Sequence, residues 1–137
     1  MTGIHQPHYT DAARAYRNKM IPNAPSILAA TDPDFAERLE NFAFDTVVNS
    51  DDMDDRTRFM CILAALMGCQ EVSTFKVMSA GALNFGVTAT EIKEIIYQGV
   101  NYLGLARALP FPARIQRSAR VPRHRPAARA PSGCRAR

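Results

Sequence analysis

The chain has 137 residues, of which 47% are hydrophobic, so it has room for one globular domain of ordinary size and gives no sign of a second. No apolar run approaches the ~20 residues of a membrane-spanning helix, and the N-terminus lacks the basic-then-apolar pattern of a secretion signal, so a cytoplasmic protein with no membrane contact is predicted. The net charge of +4 conceals two unlike parts, because residues 1–109 carry nine Lys and Arg against all thirteen Asp and Glu, whereas residues 110–137 carry eight Arg and no acid.

A short helix is predicted near the N-terminus, beginning after Thr10, a favoured N-cap residue, and running to about Met20. The two histidines upstream, His5 and His8, have the H-x-x-H spacing of a metal-binding pair, but the sequence offers no third ligand beside them. A frayed terminus is the better interpretation, and neither a metal nor a cofactor is predicted.

A second helix is predicted to begin at Thr31 or Asp32, because Pro33 suits the first helical turn. Its apolar residues recur at spacings of four and three, which is typical of a helix with one apolar face: Phe35, Leu39, Phe42, Thr46 and Val47. The acidic run at positions 51–55 lacks the ligand spacing and the central glycine of a calcium loop, so a solvated turn is favoured.

A third helix is predicted from about Asp54 to Met67, and it has very little polar face. One apolar stripe is clear, and further apolar residues lie around most of the circumference: Phe59, Ile62, Leu63 and Leu66, then Met60, Cys61, Ala64, Ala65 and Met67. A helix that is apolar nearly all round is expected to be buried on all sides. Because a domain this small does not easily enclose such a helix alone, contacts between subunits are predicted.

Gly68 is predicted to break this helix and Cys69 to begin the next one, which reaches Phe85 and stops at Gly86. The apolar face of that helix is predicted to contain Val72, Phe75, Met78, Ala82 and Phe85. A capping box, Thr88 with Glu91, then begins a strongly amphipathic helix that ends near Leu103. No stretch alternates like a strand, so the fold class is predicted to be all-α.

A thiol at a helix N-terminus faces free backbone N–H groups and the positive end of the helix dipole, which favour the thiolate. Cys69 is predicted to lie in that position, with Glu71 as a base or proton relay and Lys76 as the nearest cation along the chain. A lone cysteine at a helix junction is more often a small packed side chain, so both interpretations stay open.

Three segments together resemble the carboxymuconolactone decarboxylase family, which includes the alkyl hydroperoxidase D proteins: RTRFMCILAALMGC (56–69), ALNFGVTATEIKEIIYQ (82–98) and YLGLARA (102–108). The resemblance covers about residues 35–109. It implies a compact all-helical unit that assembles into trimers or hexamers through its helix faces.

The functional residues of the family are only partly present. Against the C-x-x-C and histidine of the peroxidase branch, Cys69 matches the first cysteine, while Val72 and Lys76 stand at the other two positions. The histidine of the decarboxylase branch falls on Met78, and residues 54–109 contain no histidine. The resemblance therefore argues against a two-cysteine peroxidase.

Three functions stay open. The first is a decarboxylase-like activity on a small carboxylated lactone or keto acid, with Glu71 moving protons. The second is a one-cysteine, thiol-dependent peroxidase that uses Cys69 with an external thiol. The third is a non-catalytic oligomeric family member.

The predicted domain organisation is an N-terminal helix and linker over residues 1–30, the helical domain over 31–109 and an Arg/Pro-rich tail over 110–137. The tail is predicted to be disordered, because it has too little apolar surface to order itself, and its composition is typical of a GC-rich gene read out of frame. Binding of nucleic acid through the eight arginines is disfavoured, because the tail has neither interleaved aromatics nor a recognisable fold.

Overall fold

The computed structural model describes residues 6–111, so His5 and residues 112–137 of the predicted tail lie outside the described residues. No strand occurs within 6–111, and the all-α prediction is confirmed. The chain folds into these helices: α1 (Asp11–Met20), α2 (Ile27–Thr31), α3 (Pro33–Asn41), a π-helix (Phe42–Thr46), α4 (Asp55–Gly68), α5 (Val72–Asn84), α6 (Ala89–Leu103) and α7 (Leu105–Ala108). None of the helices in this part of the chain combines the length and the apolar character needed to cross a membrane.

Local capping fixes where most of these helices begin. Thr10 accepts a hydrogen bond from the backbone N–H of Ala13, and Asp32 caps α3 with Pro33 in its first turn. The Thr88 hydroxyl accepts from the N–H of Glu91, whose carboxylate in turn accepts from the N–H of Thr88. These three predicted starts are confirmed, because each depends on residues that are neighbours in the sequence.

The core forms around α4, which packs against α5 on one side and α6 on the other. Phe59, Leu63 and Met67 lie along one stripe of α4 and are at most 1% exposed. Phe59 stacks on Phe85, with ring centroids 4.8 Å apart, and Phe85 stacks in turn on Tyr16 of α1 at 4.9 Å. This aromatic series ties the N-terminal helix to the central pair α4 and α5.

The burial of α4 is one-sided within the single chain, so the predicted burial on all sides would require the predicted contacts between subunits. Cys61, Ala64, Ala65 and Gly68 are exposed. The cause is that α5 and α6 cover only the Phe59 stripe and its flanks, and small side chains occupy much of the remaining surface.

The apolar stripe predicted for the second helix is also not the buried one. Phe35, Leu39 and Phe42 are 51%, 39% and 59% exposed, whereas α3 buries Ala36 and Glu40 instead. Glu40 is buried because its carboxylate pairs with the Arg17 guanidinium of α1 at 3.1 Å. The N–H of Val47 then bonds to the carbonyl of Phe42, five residues back, so the chain leaves α-helical register at the end of the stripe.

Arg58 holds the loop that precedes α4. Its side chain is buried, and its guanidinium donates to the carbonyl oxygens of Val47, Val48 and Met53 and to the Asp51 carboxylate. A buried guanidinium requires such partners, and three of these four acceptors are backbone carbonyl oxygens. Arg58 therefore has a structural role, which is to hold this loop against the start of α4.

Phe111, the last residue that the structure describes, lies two positions beyond the predicted end of the helical domain. It is 4% exposed and packs edge-on against Phe75 of α5, with ring centroids 4.9 Å apart. The core therefore extends to residue 111.

Candidate functional site

The junction between α4 and α5 differs from the prediction. Cys69 is the C-cap of α4, and its backbone N–H donates to the carbonyl of Ala65 at 2.9 Å. The chain reverses at Gln70, whose φ is +61°, and Glu71 is the N-cap of α5. The expectation that Gly68 breaks the first helix and Cys69 begins the second is wrong, because Gly68 is still helical and Gln70 takes the left-handed position.

This placement changes the electrostatics expected for the thiol. Cys69 lies at the carbonyl end of α4, which is the negative end of that helix dipole. The N–H groups at the start of α5 are engaged by the carboxylate of Glu71, whose Oε1 accepts from Ser73 and Thr74 at 3.0 Å each. The helix-start argument for thiolate formation therefore does not apply to Cys69.

The three candidate catalytic residues are exposed and separate. Cys69, Glu71 and Lys76 all lie at the surface, and no hydrogen bond or ion pair joins their side chains in the described part of the chain. Glu71 acts as a helix cap, and Lys76 lies farther along α5. Their role in catalysis stays a prediction.

A groove of about 500 Å³ runs between α4 and α6, and it will be called the α4/α6 groove. Its size falls within the range of small-molecule sites in proteins, roughly 300–1,000 Å³. Most of its wall is apolar. The lining residues are Met60, Ala64, Met67 and Gly68 from α4, and Glu91, Glu94, Ile95, Gln98, Gly99, Tyr102 and Leu103 from α6.

Small residues keep this groove open. Ala64 and Gly68 lie one helical turn apart on α4 and offer little side-chain volume. On α6, a Cβ added to Gly99 would lie 2.6 Å from Cε of Met67. Gly99 therefore lets the end of Met67 lie directly against the backbone of α6.

The polar groups of the groove come mainly from α6. Glu91 is held on two sides, since its Oε2 accepts from Thr88 while its Oε1 accepts from the Arg56 guanidinium. Glu94 and Gln98 are exposed along the same helix. The groove thus has an apolar wall with carboxyl groups along α6, and one of these, Glu91, is paired with Arg56.

Sequence reasoning did not find this groove. Its residues come from helices more than twenty positions apart, and every one of them also reads as ordinary helix packing. The signals present were the small residues Ala64 and Gly68 on one helix and Gly99 within the apolar stripe of another. None of the three predicted site residues lines the groove, although Cys69 directly follows Gly68, which does.

The family is decided by a comparison with protein-family models. The carboxymuconolactone decarboxylase family model matches residues 33–111, which is more than half of the chain. The chain belongs to the carboxymuconolactone decarboxylase family. Neither the curated proteins nor the solved structures that were compared gave a match.

Within residues 6–111 of this family member, no three His, Cys, Asp or Glu side chains are grouped closely enough to hold a metal ion. The side chains described at the groove are those of acid–base chemistry and apolar binding.

Filling the groove tests whether it binds small molecules. Ala64→Phe places an aromatic ring in the groove and is expected to remove most of the binding of the uncharged dye Nile red, measured by fluorescence. Val77→Phe is the matched control, because Val77 is an exposed apolar residue of α5 that does not line the groove. Equal loss of dye binding in both variants, at equal thermal stability, would contradict a binding role for the groove.

Proposed function

We propose that this chain is a decarboxylase-like enzyme that binds a small lactone or keto acid in the α4/α6 groove. The observation that supports this function is an apolar, ligand-sized groove with a carboxyl group, that of Glu94, in its lining. Loss of CO₂ is favoured when the substrate carboxylate is removed from water and placed against an apolar wall. The product then needs one proton, which a carboxyl group beside the groove can supply.

The proposed step is a decarboxylation followed by protonation of the product at carbon. The departing carboxylate is attached to the carbon next to the lactone or keto carbonyl, or to a carbon conjugated with that carbonyl through a C=C bond. The C–C bond to this carboxylate breaks, CO₂ departs, and the electron pair of that bond moves into the carbonyl. The resulting enolate takes one proton at carbon from the carboxylic acid form of Glu94, and solvent reprotonates this exposed side chain afterwards. Glu71 is less well suited to this transfer, because its carboxylate already accepts two backbone N–H groups.

Two matched variants test which carboxyl group moves the proton. In an assay of CO₂ release from a panel of α,β-unsaturated γ-lactone carboxylates and β-keto acids, Glu94→Gln is expected to lower the rate about 100-fold, the usual size of a lost general acid. Glu71→Gln is expected to lower stability with little effect on rate. The reverse result would assign the proton transfer to Glu71, and no release above the Ala64→Phe background would refute the proposal.

A one-cysteine peroxidase is the second candidate, supported by the exposure of Cys69. In that reaction the thiolate attacks the O–O bond, an alcohol departs, and an external thiol reduces the sulfenic acid through a mixed disulfide. A reduced compartment such as the cytoplasm suits the two exposed thiols, Cys61 and Cys69. The position of Cys69 at the carbonyl end of α4 disfavours this function.

Thiol labelling separates the two candidates. In a Cys61→Ser/Cys134→Ser background, Cys69 is expected to react with iodoacetamide at pH 7 no faster than the same chain unfolded in urea. The physical reason is that Cys69 lies at the carbonyl end of α4, which does not favour a thiolate as a helix N-terminus would. A rate at least tenfold above the unfolded chain would favour the peroxidase.

Self-association as a trimer or hexamer is part of the same proposal, and membership of the family supports it together with the exposed apolar side of α4. Cys61 and Ala65 lie on that side outside the groove lining, and Leu105 and Leu109 in the C-terminal part of the domain are 61% and 70% exposed. Sedimentation equilibrium is expected to give a mass of three or six chains. A monodisperse monomer would contradict the proposal and would remove assembly as a non-catalytic role.

A further inference from the structure

Arg56 lies in the first turn of α4, and its guanidinium donates to Oε1 of Glu91, a residue that lines the α4/α6 groove. The Arg56 side chain is 45% exposed, so water and solutes reach it. Glu91 cannot move freely, because its other oxygen belongs to the capping box of α6. The pairing therefore holds Arg56 at the edge of the groove.

The other cations of α4, α5 and α6 within the described residues are placed elsewhere. Arg58 is buried and donates to the loop carbonyls, and Lys76 is exposed on α5. The ammonium of Lys93 lies over the ring of Tyr97, 5.5 Å from its centroid. Arg56 is the one among them that is paired to a residue of the groove wall.

We propose that Arg56 is the anion-recognition residue of the α4/α6 groove, held in place by Glu91, an inference that rests on the proposed function. A guanidinium has five N–H donors in a planar fork, and the pair with Glu91 is made through one of its terminal nitrogens. The remaining donors can bind a carboxylate or an enolate oxygen of a ligand whose apolar body lies along Met60 and Ala64.

The chemistry restricts which oxygen Arg56 contacts. A guanidinium stabilises an ionised carboxylate and would hold back its loss as CO₂. Arg56 therefore binds an oxygen that stays with the product, while the carboxylate that departs faces the apolar wall. This arrangement makes Arg56 a determinant of substrate charge and orientation, and Glu94 the source of the proton.

The experiment uses two probes of nearly equal shape, cyclohexanecarboxylate and cyclohexanecarboxamide, titrated into the full chain. Binding is followed by the backbone amide shifts of Gly68 and Gly99, which lie in the groove wall. The wild-type chain is expected to bind the carboxylate about fivefold more tightly, as befits a partly exposed ion pair, and the preference should shrink with added salt.

The variants assign this preference to a residue. Arg56→Gln is expected to abolish the carboxylate preference by weakening the binding of the carboxylate probe only. Arg56→Lys is expected to retain part of this preference. Lys93→Gln, which removes a charge from the neighbouring helix, is expected to retain all of it. Arg56→Gln/Glu91→Gln, which removes both partners, is expected to show no preference either, so repulsion by an unpaired Glu91 is not the cause.

Two results would overturn the inference in different ways. A carboxylate preference that survives Arg56→Gln, or that falls equally in Lys93→Gln, removes the role of Arg56 and leaves the groove as a binding site. If neither probe shifts Gly68 or Gly99, the groove takes no such ligand, and the proposed function fails together with the inference.

Discussion

The packing of one stripe of α4 is the constraint on which the rest of the described structure depends. Phe59, Leu63 and Met67 are almost fully buried, and truncation of such side chains typically costs about 2–5 kcal/mol each. Phe59 connects this stripe to α1 through the stacked rings of Phe85 and Tyr16. Since α5 and α6 both pack on α4, the position of α4 determines the spacing of the other helices.

The same packing produces the groove. Met67 belongs to the buried stripe and also to the groove wall, and its close approach to Gly99 sets how near α4 and α6 come at that point. Beside this contact, Ala64 and Gly68 are too small to close the gap. The large side chains of α4 therefore form the core, and the small ones beside them leave the groove open.

Sequence reasoning succeeded where the deciding contacts are local. The caps at Thr10, Asp32 and Thr88 involve residues three positions apart, so their geometry follows from the helix itself. The predicted helix start at Cys69 was wrong, because the sequence allows either Gly68 or Gln70 to occupy the position where the chain reverses. In the structure Gln70 occupies it, directly before the N-cap residue Glu71. Sequence reasoning failed for Phe35 and Leu39 because periodicity identifies an apolar face but not the partner that covers it.

The groove could not be predicted from the sequence, because its residues come from two helices that are far apart along the chain. A motif of cysteines and histidine is visible in a sequence because its members are close along the chain, and here only Cys69 of that motif is present. Carboxyl groups on α6 and an arginine on α4 become neighbours only after α4 and α6 pack. If the chain is catalytic as proposed, its reactive groups have to be sought across that helix pair, because the α4–α5 junction uses Glu71 for a helix cap and places Cys69 at the carbonyl end of α4.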